Sequence, residues 1–294
     1  MLSAQEILTK AQDKGYALGA FNAGNLELIK AVAKAAEGQQ APVIVEASAG
    51  ETSHFGRDNF LKLAENFCRE FNLELLTNFD HGPGLQECQE AIEAGYNLVH
   101  FDGSALPYEE NVKITRLLVD QAHQKGVLVE GEIDKIIGKS SPHLGEEAKS
   151  FQDSAAYTDV ERAIDFVEKT GVDILAVSVG NLHGIYSSPP RLDLNRLGVI
   201  AQKLSCFLSL HGGSGLLDED IQGALKIGRV VKINVNTELR IAFRETLENV
   251  LKGSEEVAIY KIMTPVIAAV QKVVEDKIEL FGSANKVTSH KVLE

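Results

Sequence analysis

The stretch DVERAIDFVEKTGVDILAVSV, residues 159–179, contains one repeating unit of the fold. In residues 159–170, apolar side chains recur at helical spacing, and the glycine at 171 is typical of the residue that follows a helix end. The apolar run 173–179 then predicts a buried strand. This stretch is therefore interpreted as a helix that leads into a strand.

The same alternation of apolar runs and helical patterns, such as 109–125, extends along the chain. The eight predicted strands are 16–21, 42–47, 74–80, 97–101, 127–132, 173–179, 206–211 and 229–234. Helical connections of this length require parallel strands. The pattern predicts an α/β fold, a (β/α)₈ TIM barrel forming a single domain over residues 1–294, with an extra C-terminal helix around 256–280. A doubly wound open sheet would normally carry G-x-G-x-x-G after its first strand, and this chain does not.

Composition narrows the functional classes. The chain has 294 residues, close to the roughly 250 of one such barrel, and 44% of them are hydrophobic. The formal net charge of -13 disfavours nucleic acid and membrane partners, because anionic surfaces attract clustered Lys and Arg. The N-terminal segment lacks the plan of a signal peptide, and no apolar run suits a membrane span, so we expect a cytoplasmic protein. The widely spaced Cys68, Cys88 and Cys206 are expected to be buried fillers.

Histidines stand where three of the predicted strands end, and each is followed directly by glycine: His81, His183 and His211. The carboxyl ends of barrel strands meet at one face, so three imidazoles can converge there on a zinc ion with an open coordination position. A single such histidine would more often only cap its strand, but three at equivalent positions favour a catalytic metal site. His100 lies inside a strand and is predicted to be a packed or hydrogen-bonded core residue. The histidines predicted to lie on the surface are His54, His123, His143 and His290.

Small residues follow the last two predicted strands. Residues 212–215 read Gly-Gly-Ser-Gly, and residues 234–237 read Asn-Val-Asn-Thr. Barrels often bind phosphate at these positions through backbone N–H groups and a helix N-terminus. The glycine-rich tract could also be only a flexible turn, but its place beside His211 favours a phosphate site.

Seven segments together resemble the class II fructose- and tagatose-bisphosphate aldolase family. They are FNAGNLE (21–27), FDHGPG (79–84), HFDGSALPYEENV (100–112), VEGEID (129–134), GVDILAVSVGNLHGIY (171–186), LHGGSGL (210–216) and KINVNTELR (232–240). They cover nearly the whole chain, and their ordered combination is highly specific. The resemblance implies reversible zinc-dependent aldol cleavage of fructose 1,6-bisphosphate, or a related ketose 1-phosphate, to dihydroxyacetone phosphate and an aldehyde.

The resemblance also implies roles for individual residues. The zinc ligands would be His81, His183 and His211. Asp80 would move the proton on the hydroxyl of the bond-forming carbon, and Asn234 would help hold the enediolate. Glu132 matches a carboxylate beside the metal. Asp102 would either join Glu132 at an alternative metal position or form a salt bridge.

Further implied residues surround the substrate phosphates. Ser48 matches a serine near the distal phosphate, and a monovalent cation, Na⁺ or K⁺, is usual near the phosphate of the triose. The residues implied to surround the triose phosphate are Gly184, Gly212, Gly213, Ser214, Asn236 and Thr237. With zinc available to polarise a carbonyl, no Schiff-base lysine is required. Lys232 is the nearest candidate for one and is disfavoured.

Departures from the family pattern lie in the segment 138–157 and at two further positions. Residues 138–157 are too long and polar for an ordinary connection and are interpreted as an active-site loop, with Ser140 where relatives carry an acid or base glutamate. His143, Glu146 or Glu147 could replace that glutamate, although each is also typical of a solvated loop. Ser187 stands at a position usually occupied by lysine. Glu279 stands where relatives often have an arginine for the distal phosphate, which predicts a weaker preference for a phosphorylated aldehyde.

Two alternatives remain open at this point. One is a family member that binds zinc and sugar phosphate without the usual turnover, and another is an aldolase for a ketose that is not a bisphosphate. A zinc hydrolase on the same barrel is disfavoured, because such sites commonly begin with H-x-H on the first strand, where this chain has Phe21-Asn22-Ala23. The expected partners are a small-molecule sugar phosphate and further copies of the chain in a homodimer or homotetramer, with the C-terminal helix as a possible contact.

Overall fold

The computed structural model describes residues 2–287. Its strands, in chain order, are β1 (Leu18–Asn22), β2 (Val43–Ser48), β3 (Leu75–Gly82), β4 (Leu98–Asp102), β5 (Leu128–Glu132), β6 (Gly138–Glu147), β7 (Ile174–Ala176), β8 (His183–Ser188), β9 (Phe207–Leu210) and β10 (Val230–Val235). Eight of them close into a parallel barrel in the order β1-β10-β9-β7-β5-β4-β3-β2. The predicted (β/α)₈ barrel is confirmed, whereas the single-domain boundary at 1–294 stays a prediction.

Helices connect the barrel strands and cover their outer surface. They are α1 (Ala4–Lys14), α2 (Leu26–Gln39), α3 (Ala49–Phe55), α4 (Arg57–Glu70), α5 (Leu85–Ala94), α6 (Tyr108–His123), α7 (Val160–Thr170), α8 (Leu194–Lys203), α9 (Asp218–Ile227), α10 (Thr237–Gly253) and α11 (Ile259–Leu280). The main core lies between this helical layer and the barrel. All three cysteines are buried.

Most predicted strand limits agree with the structure to within two residues, but β7 ends at Ala176 rather than at 179. The Val177 N–H still donates to the carbonyl of Ser209 in β9, at 3.3 Å, but from residue 178 the chain bonds to loops. The carbonyl of Ser178 accepts from the Thr158 N–H at 2.8 Å, and the Val179 N–H donates to the Asn181 side chain at 2.8 Å. These contacts lead the chain out of the barrel and towards the site.

The N-terminal helix closes the end of the barrel at which the strands begin. Its apolar side chains, among them Ile7 and Leu8, pack against first residues of the strands such as Leu98 and Leu128. Ser3 caps this helix and forms a reciprocal capping box with Glu6. Substrate access is therefore restricted to the opposite end, where the strands finish.

The segment predicted as a loop at 138–157 is more regular than expected. Residues 138–147 form β6, which pairs in parallel with β8, and short 3₁₀ turns follow at 148–151 and 154–156. The ring of His143 stacks on Tyr186 with centroids 4.8 Å apart, and Tyr186 belongs to a small apolar cluster with Leu182 and Ala148. This packing holds the segment over the barrel.

The C-terminal helices are long, and α11 confirms the helix predicted around 256–280. It packs on α2 and α10 through a buried stripe that includes Val266, Val270 and Val274. At the junction of α10 and α11, Val257, Ile259 and Tyr260 are exposed. No helix within residues 2–287 combines the length and apolarity needed to cross a lipid bilayer.

Candidate active site

A cavity of about 180 Å³ opens at the carboxyl ends of the barrel strands. Its lining residues are Asn22, Ser48, Asp80, His81, Ser140, His183, Gly184, His211, Gly212, Ser214, Asn234, Asn236, Thr237 and Arg240. Eleven of these belong to the set predicted from the sequence. Asn22, Ser140 and Arg240 complete the lining, and the sequence analysis assigned no site role to Asn22 or Arg240.

The three predicted zinc histidines meet in this cavity. The ring centroid of His81 lies 4.7 Å from that of His211 and 5.3 Å from that of His183. The Nε2 atom of His81 faces Nδ1 of His211 at 3.1 Å. Two nitrogens that bind one zinc ion, each at about 2.0–2.1 Å, would have a similar separation.

The backbone at the end of β3 orients His81. Its φ of 47° lies in the left-handed region, which costs a residue other than glycine about 1–2 kcal/mol. The register between β3 and β4 shifts at this point, and the His81 N–H donates to Nδ1 of His100 at 3.2 Å. Because strained conformations persist mainly where surrounding contacts impose them, this turn indicates a functional constraint.

Each of the three imidazoles has a partner that leaves one ring nitrogen directed at the cavity. Glu130 Oε1 lies 2.9 Å from Nε2 of His211, and Asp102 Oδ2 lies 2.9 Å from Nδ1 of His81. His183 places Nδ1 at 3.3 Å from the carbonyl of Ile136. Such partners fix the tautomer of a metal-binding histidine. The sequence analysis missed Glu130 in this role.

Burial makes two of these imidazoles suitable as neutral ligands. It lowers the pKa of His183 to about 4, with a further contribution from His81. It also holds the pKa of His211 well below the ordinary value, and the hydrogen bond that His211 donates to Glu130 only partly opposes this. A neutral imidazole retains the lone pair that a metal requires.

Two groups of side chains within the described residues have candidate ligand atoms that all lie within 4.8 Å of one another. One consists of Asp80, His81, His100 and His211, and the other of His81, Asp102 and Glu132. His183 belongs to neither group. His100 is buried, as predicted, but it lies beside the site, a position that the sequence did not indicate.

Glu132 is fully buried. Asp102 lies opposite it in the backbone register of β4 and β5. The Oε2 atom of Glu132 lies 3.3 Å from Nε2 of His100 and 3.9 Å from Nδ1 of His81. A buried carboxylate is unfavourable unless a cation or donor lies close to it, and these two imidazoles flank it. Neither Asp102 nor Glu132 lines the cavity itself, so both are placed behind His81.

Asp80 and Asn234 face each other within the cavity. The amide nitrogen of Asn234 lies 3.3 Å from Oδ1 of Asp80, and the amide nitrogen of Asn22 lies 3.1 Å from Oδ2. Burial raises the pKa of Asp80, but neighbouring histidines, chiefly His81, outweigh it and hold the pKa well below its usual value. Asp80 is therefore an ionised carboxylate aimed at the cavity.

The predicted phosphate residues gather on one side of the cavity. Gly212 has a φ of 66°, and a Cβ there would lie 2.1 Å from the carbonyl oxygen of Leu182, so only glycine fits. Ser214 accepts the Glu238 N–H at 3.3 Å, which ties the glycine tract to the start of α10. Gly213 does not line the cavity, because its N–H donates to the carbonyl of Asn234 at 2.8 Å.

A charged network lies beneath the cavity, inside the barrel. The ammonium of Lys232 lies 2.7 Å from Glu130 and 3.4 Å from Glu46, and all three side chains are fully buried. Burial lowers the pKa of Lys232, but the two carboxylates outweigh it and raise the pKa above the usual value. A protonated, paired lysine is a poor Schiff-base nucleophile, in agreement with the prediction that disfavoured it.

Lys232→Met is expected to destabilise the fold by about 3–5 kcal/mol, because it leaves the buried carboxylate of Glu130 without its cation. Chemical denaturation followed by circular dichroism measures the change. The matched control is Lys252→Met, which removes an exposed lysine paired with Glu248 and should change the free energy of unfolding by less than about 1 kcal/mol. Equal stability of the two variants would contradict the role assigned to Lys232.

The predicted position of Glu279 at the distal phosphate is wrong. This residue is exposed near the end of α11, and its Oε1 accepts from the side chain of Gln39 at 3.2 Å. Gln39 ends α2, so the pair lies at the end of the barrel opposite the cavity. Of the replacement acids or bases considered for the 138–157 segment, His143, Glu146 and Glu147 lie on β6, and none of the three lines the cavity. His290 lies outside the described residues.

The fold and site together define a (β/α)₈ barrel with a histidine and carboxylate cluster at the carboxyl ends of its strands. The family model described as fructose-bisphosphate aldolase class-II matches residues 2–286. A fructose-bisphosphate aldolase of Staphylococcus aureus (strain Mu50) is 36% identical over 97% of this chain and 99% of its own length. The chain therefore belongs to the class II fructose-bisphosphate aldolase family, whose members are zinc-dependent aldehyde-lyases.

Solved structures agree with this assignment. The crystal structure of the YdjI aldolase from Escherichia coli K12 is 30% identical, with a TM-score of 0.82 over 98% of this chain and 99% of that one. The fructose-bisphosphate aldolase of Campylobacter jejuni, at 21% identity and a TM-score of 0.80 over 97% of this chain and 96% of its own, is similar in fold.

Proposed function

We propose that the protein is a zinc-dependent aldolase that reversibly cleaves a ketose 1-phosphate to dihydroxyacetone phosphate and an aldehyde. The observation that carries the proposal is the meeting of His81, His183 and His211 with the ionised Asp80 in one cavity. Fructose 1,6-bisphosphate is the first substrate to test, because relatives such as the S. aureus protein bear its name.

The residues fit the zinc ion that the family uses. His81 and His211 direct nitrogens to one point, His183 offers a neutral imidazole, and the carboxylate of Glu132 lies nearby, 3.9 Å from Nδ1 of His81. Imidazole nitrogens with one carboxylate form a donor set that zinc prefers. Asp102 acts in this proposal as the partner that orients His81, rather than as a metal ligand.

When bound, zinc would polarise the substrate carbonyl and stabilise negative charge on the adjacent oxygen. In cleavage, Asp80 accepts the proton from the hydroxyl on the carbon that becomes the aldehyde, and in condensation it returns that proton. Asn22 and Asn234 hold the Asp80 carboxylate from either side. Asn234 would also help hold the enediolate.

The triose phosphate would lie against Gly184, Gly212, Ser214, Asn236 and Thr237. Backbone N–H groups at the start of α10 form the positive end of the dipole of that helix. The glycine tract lets the backbone approach the phosphate closely. The Oδ1 atom of Asn236 is buried without a hydrogen-bond partner among residues 2–287, which suits the monovalent cation expected near this phosphate.

The homodimer or homotetramer stays a prediction. The exposed side chains of Val257, Ile259 and Tyr260 at the junction of α10 and α11 are the apolar surface that such an assembly would cover.

The proposed function is tested by incubating the purified protein, with its zinc content measured, with fructose 1-phosphate and fructose 1,6-bisphosphate. Release of dihydroxyacetone phosphate is followed with a coupled reductase. We expect release from at least one ketose. A protein with stoichiometric zinc that binds the sugar phosphates but releases no triose would instead be the family member without turnover.

A further inference from the structure

A second cavity adjoins the active-site cavity beyond Asp80. This outer cavity, of about 410 Å³, is lined by residues that follow β1 and β2, including Asn25 and Glu51, and it shares Ser48 and Arg240 with the first cavity. The register of β2 and β3 places Ser48 directly beside Asp80. A substrate held by its triose end would therefore extend its far end into the outer cavity.

Glu51 occupies the boundary between the two cavities. Its Oε2 atom accepts from the Ser48 N–H at 2.9 Å, from the Ser48 hydroxyl at 2.8 Å and from the Asn22 amide at 3.2 Å. Its Oε1 atom accepts from Arg240 at 2.9 Å. The Asn22 amide nitrogen also contacts Asp80, so Glu51 is the next acidic group along the path from Asp80.

Helix capping explains only part of this arrangement. Ser48 and Glu51 form a capping box at the start of α3, and the same type of box joins Ser3 and Glu6 at the start of α1. A capping box requires only the contacts between its own two residues. The bonds from Asn22 and Arg240 are additional, and they bring donors from β1 and α10 to the carboxylate of Glu51.

The carboxylate of Glu51 therefore already places a negative charge where the far end of the substrate would lie. The donors that could hold a distal phosphate, namely those of Ser48, Asn22 and Arg240, bind an internal carboxylate that is only 15% exposed. A phosphate entering here would have to displace Glu51 from these donors and would be repelled by it at short range. A hydroxyl group meets neither penalty and can donate to the carboxylate.

Building on the proposed function, we infer that Glu51 is a specificity-determining residue that selects ketose 1-phosphates whose far end carries hydroxyl groups rather than phosphate. The aldehyde released or consumed is then an uncharged hydroxyaldehyde. This assigns to Glu51 the discrimination against a distal phosphate that the sequence had suggested for Glu279.

The test compares Glu51→Gln with the matched control Glu6→Gln. Both variants remove one negative charge, and both keep a residue able to complete the capping box. The probes are a hexitol 1-phosphate and the corresponding hexitol 1,6-bisphosphate, which cannot be cleaved and differ only at the distal end. Calorimetry on the zinc-loaded proteins gives the ratio of the two dissociation constants, and kcat/KM for fructose 1-phosphate and fructose 1,6-bisphosphate gives a second ratio.

In Glu51→Gln, both ratios should shift towards the bisphosphate by about tenfold or more, the size typical of a short-range charge contact, and in Glu6→Gln neither should move. An unchanged binding ratio in Glu51→Gln would overturn the inference and leave Glu51 as a capping residue. If the wild-type protein bound neither hexitol phosphate, the proposed function itself would fail, and the inference with it.

Discussion

Asp80→Asn is expected to lower the rate of ketose cleavage by about 10²–10⁴-fold, the range for loss of a general acid or base. Asparagine keeps the shape of the side chain and its place between Asn22 and Asn234, but it cannot accept the hydroxyl proton. The exchange of the carbon-bound proton of dihydroxyacetone phosphate should persist, because the proposal assigns Asp80 only the proton of the hydroxyl group. Cleavage is measured by triose release, exchange by NMR in D₂O, and zinc by mass spectrometry.

Asp134→Asn is the matched control, since the Asp134 carboxylate pairs with Arg162 at 2.9 Å outside the cavity and cleavage should be retained. If Asp80→Asn lost cleavage and exchange equally while its zinc content stayed normal, Asp80 would have a different role.

Alanine substitution of each predicted zinc ligand, His81, His183 or His211, is expected to weaken zinc binding by more than about 100-fold. Loss of a partner that only orients a ligand already costs about 10–100-fold, so loss of a ligand should cost more. Zinc retained after dialysis against a competing chelator measures the effect. His123→Ala, which alters an exposed histidine paired with Asp173, should retain zinc fully.

The contrast between His183 and His100 is the most informative part of this series. His100 is closer to the other ligand atoms, but its Nδ1 accepts the His81 N–H and its Nε2 lies 3.3 Å from Oε2 of Glu132. His183 has only Nδ1 engaged, by the carbonyl of Ile136, and it lines the cavity. We therefore expect His100→Gln to retain more zinc than His183→Ala. The reverse order would make His100 the third ligand.

The barrel could be predicted because apolar side chains recur at different intervals in its strands and its helices, and because glycines separate these elements. The β6 strand could not, since residues 138–147 are polar and mostly exposed, and the contacts that accompany their pairing with β8, such as the stacking of His143 on Tyr186, join positions far apart in sequence. Strand 173–179 was predicted too long, because an apolar run does not indicate where its hydrogen bonds pass from neighbouring strands to loops.

Within the site, the histidines and glycine tracts could be predicted because they follow strand ends. The supporting network was missed, although a signal was present. Glu46, His100, Glu130 and Lys232 each interrupt an apolar strand, and a buried charge requires a partner. Four such interruptions in four strands indicate a polar network inside the barrel.

The residues near the distal end of the substrate could not be identified by matching sequence motifs alone. Glu279 was assigned to the substrate from its place in a C-terminal segment, yet it lies at the opposite end of the barrel. Glu51 and Arg240 meet at the cavity although 189 positions separate them in sequence, and only the closure of the barrel brings them together.

The central claim is that the zinc-loaded protein activates dihydroxyacetone phosphate as a carbon acid, and the most direct test is proton exchange with no aldehyde present. Dihydroxyacetone phosphate is incubated in D₂O with the protein, with the chelator-treated protein, and with the treated protein to which zinc has been restored. We predict exchange of one carbon-bound proton with the first sample, loss of exchange with the second, and recovery with the third. No exchange by a protein with stoichiometric zinc, or undiminished exchange after verified removal of the metal, would contradict the account.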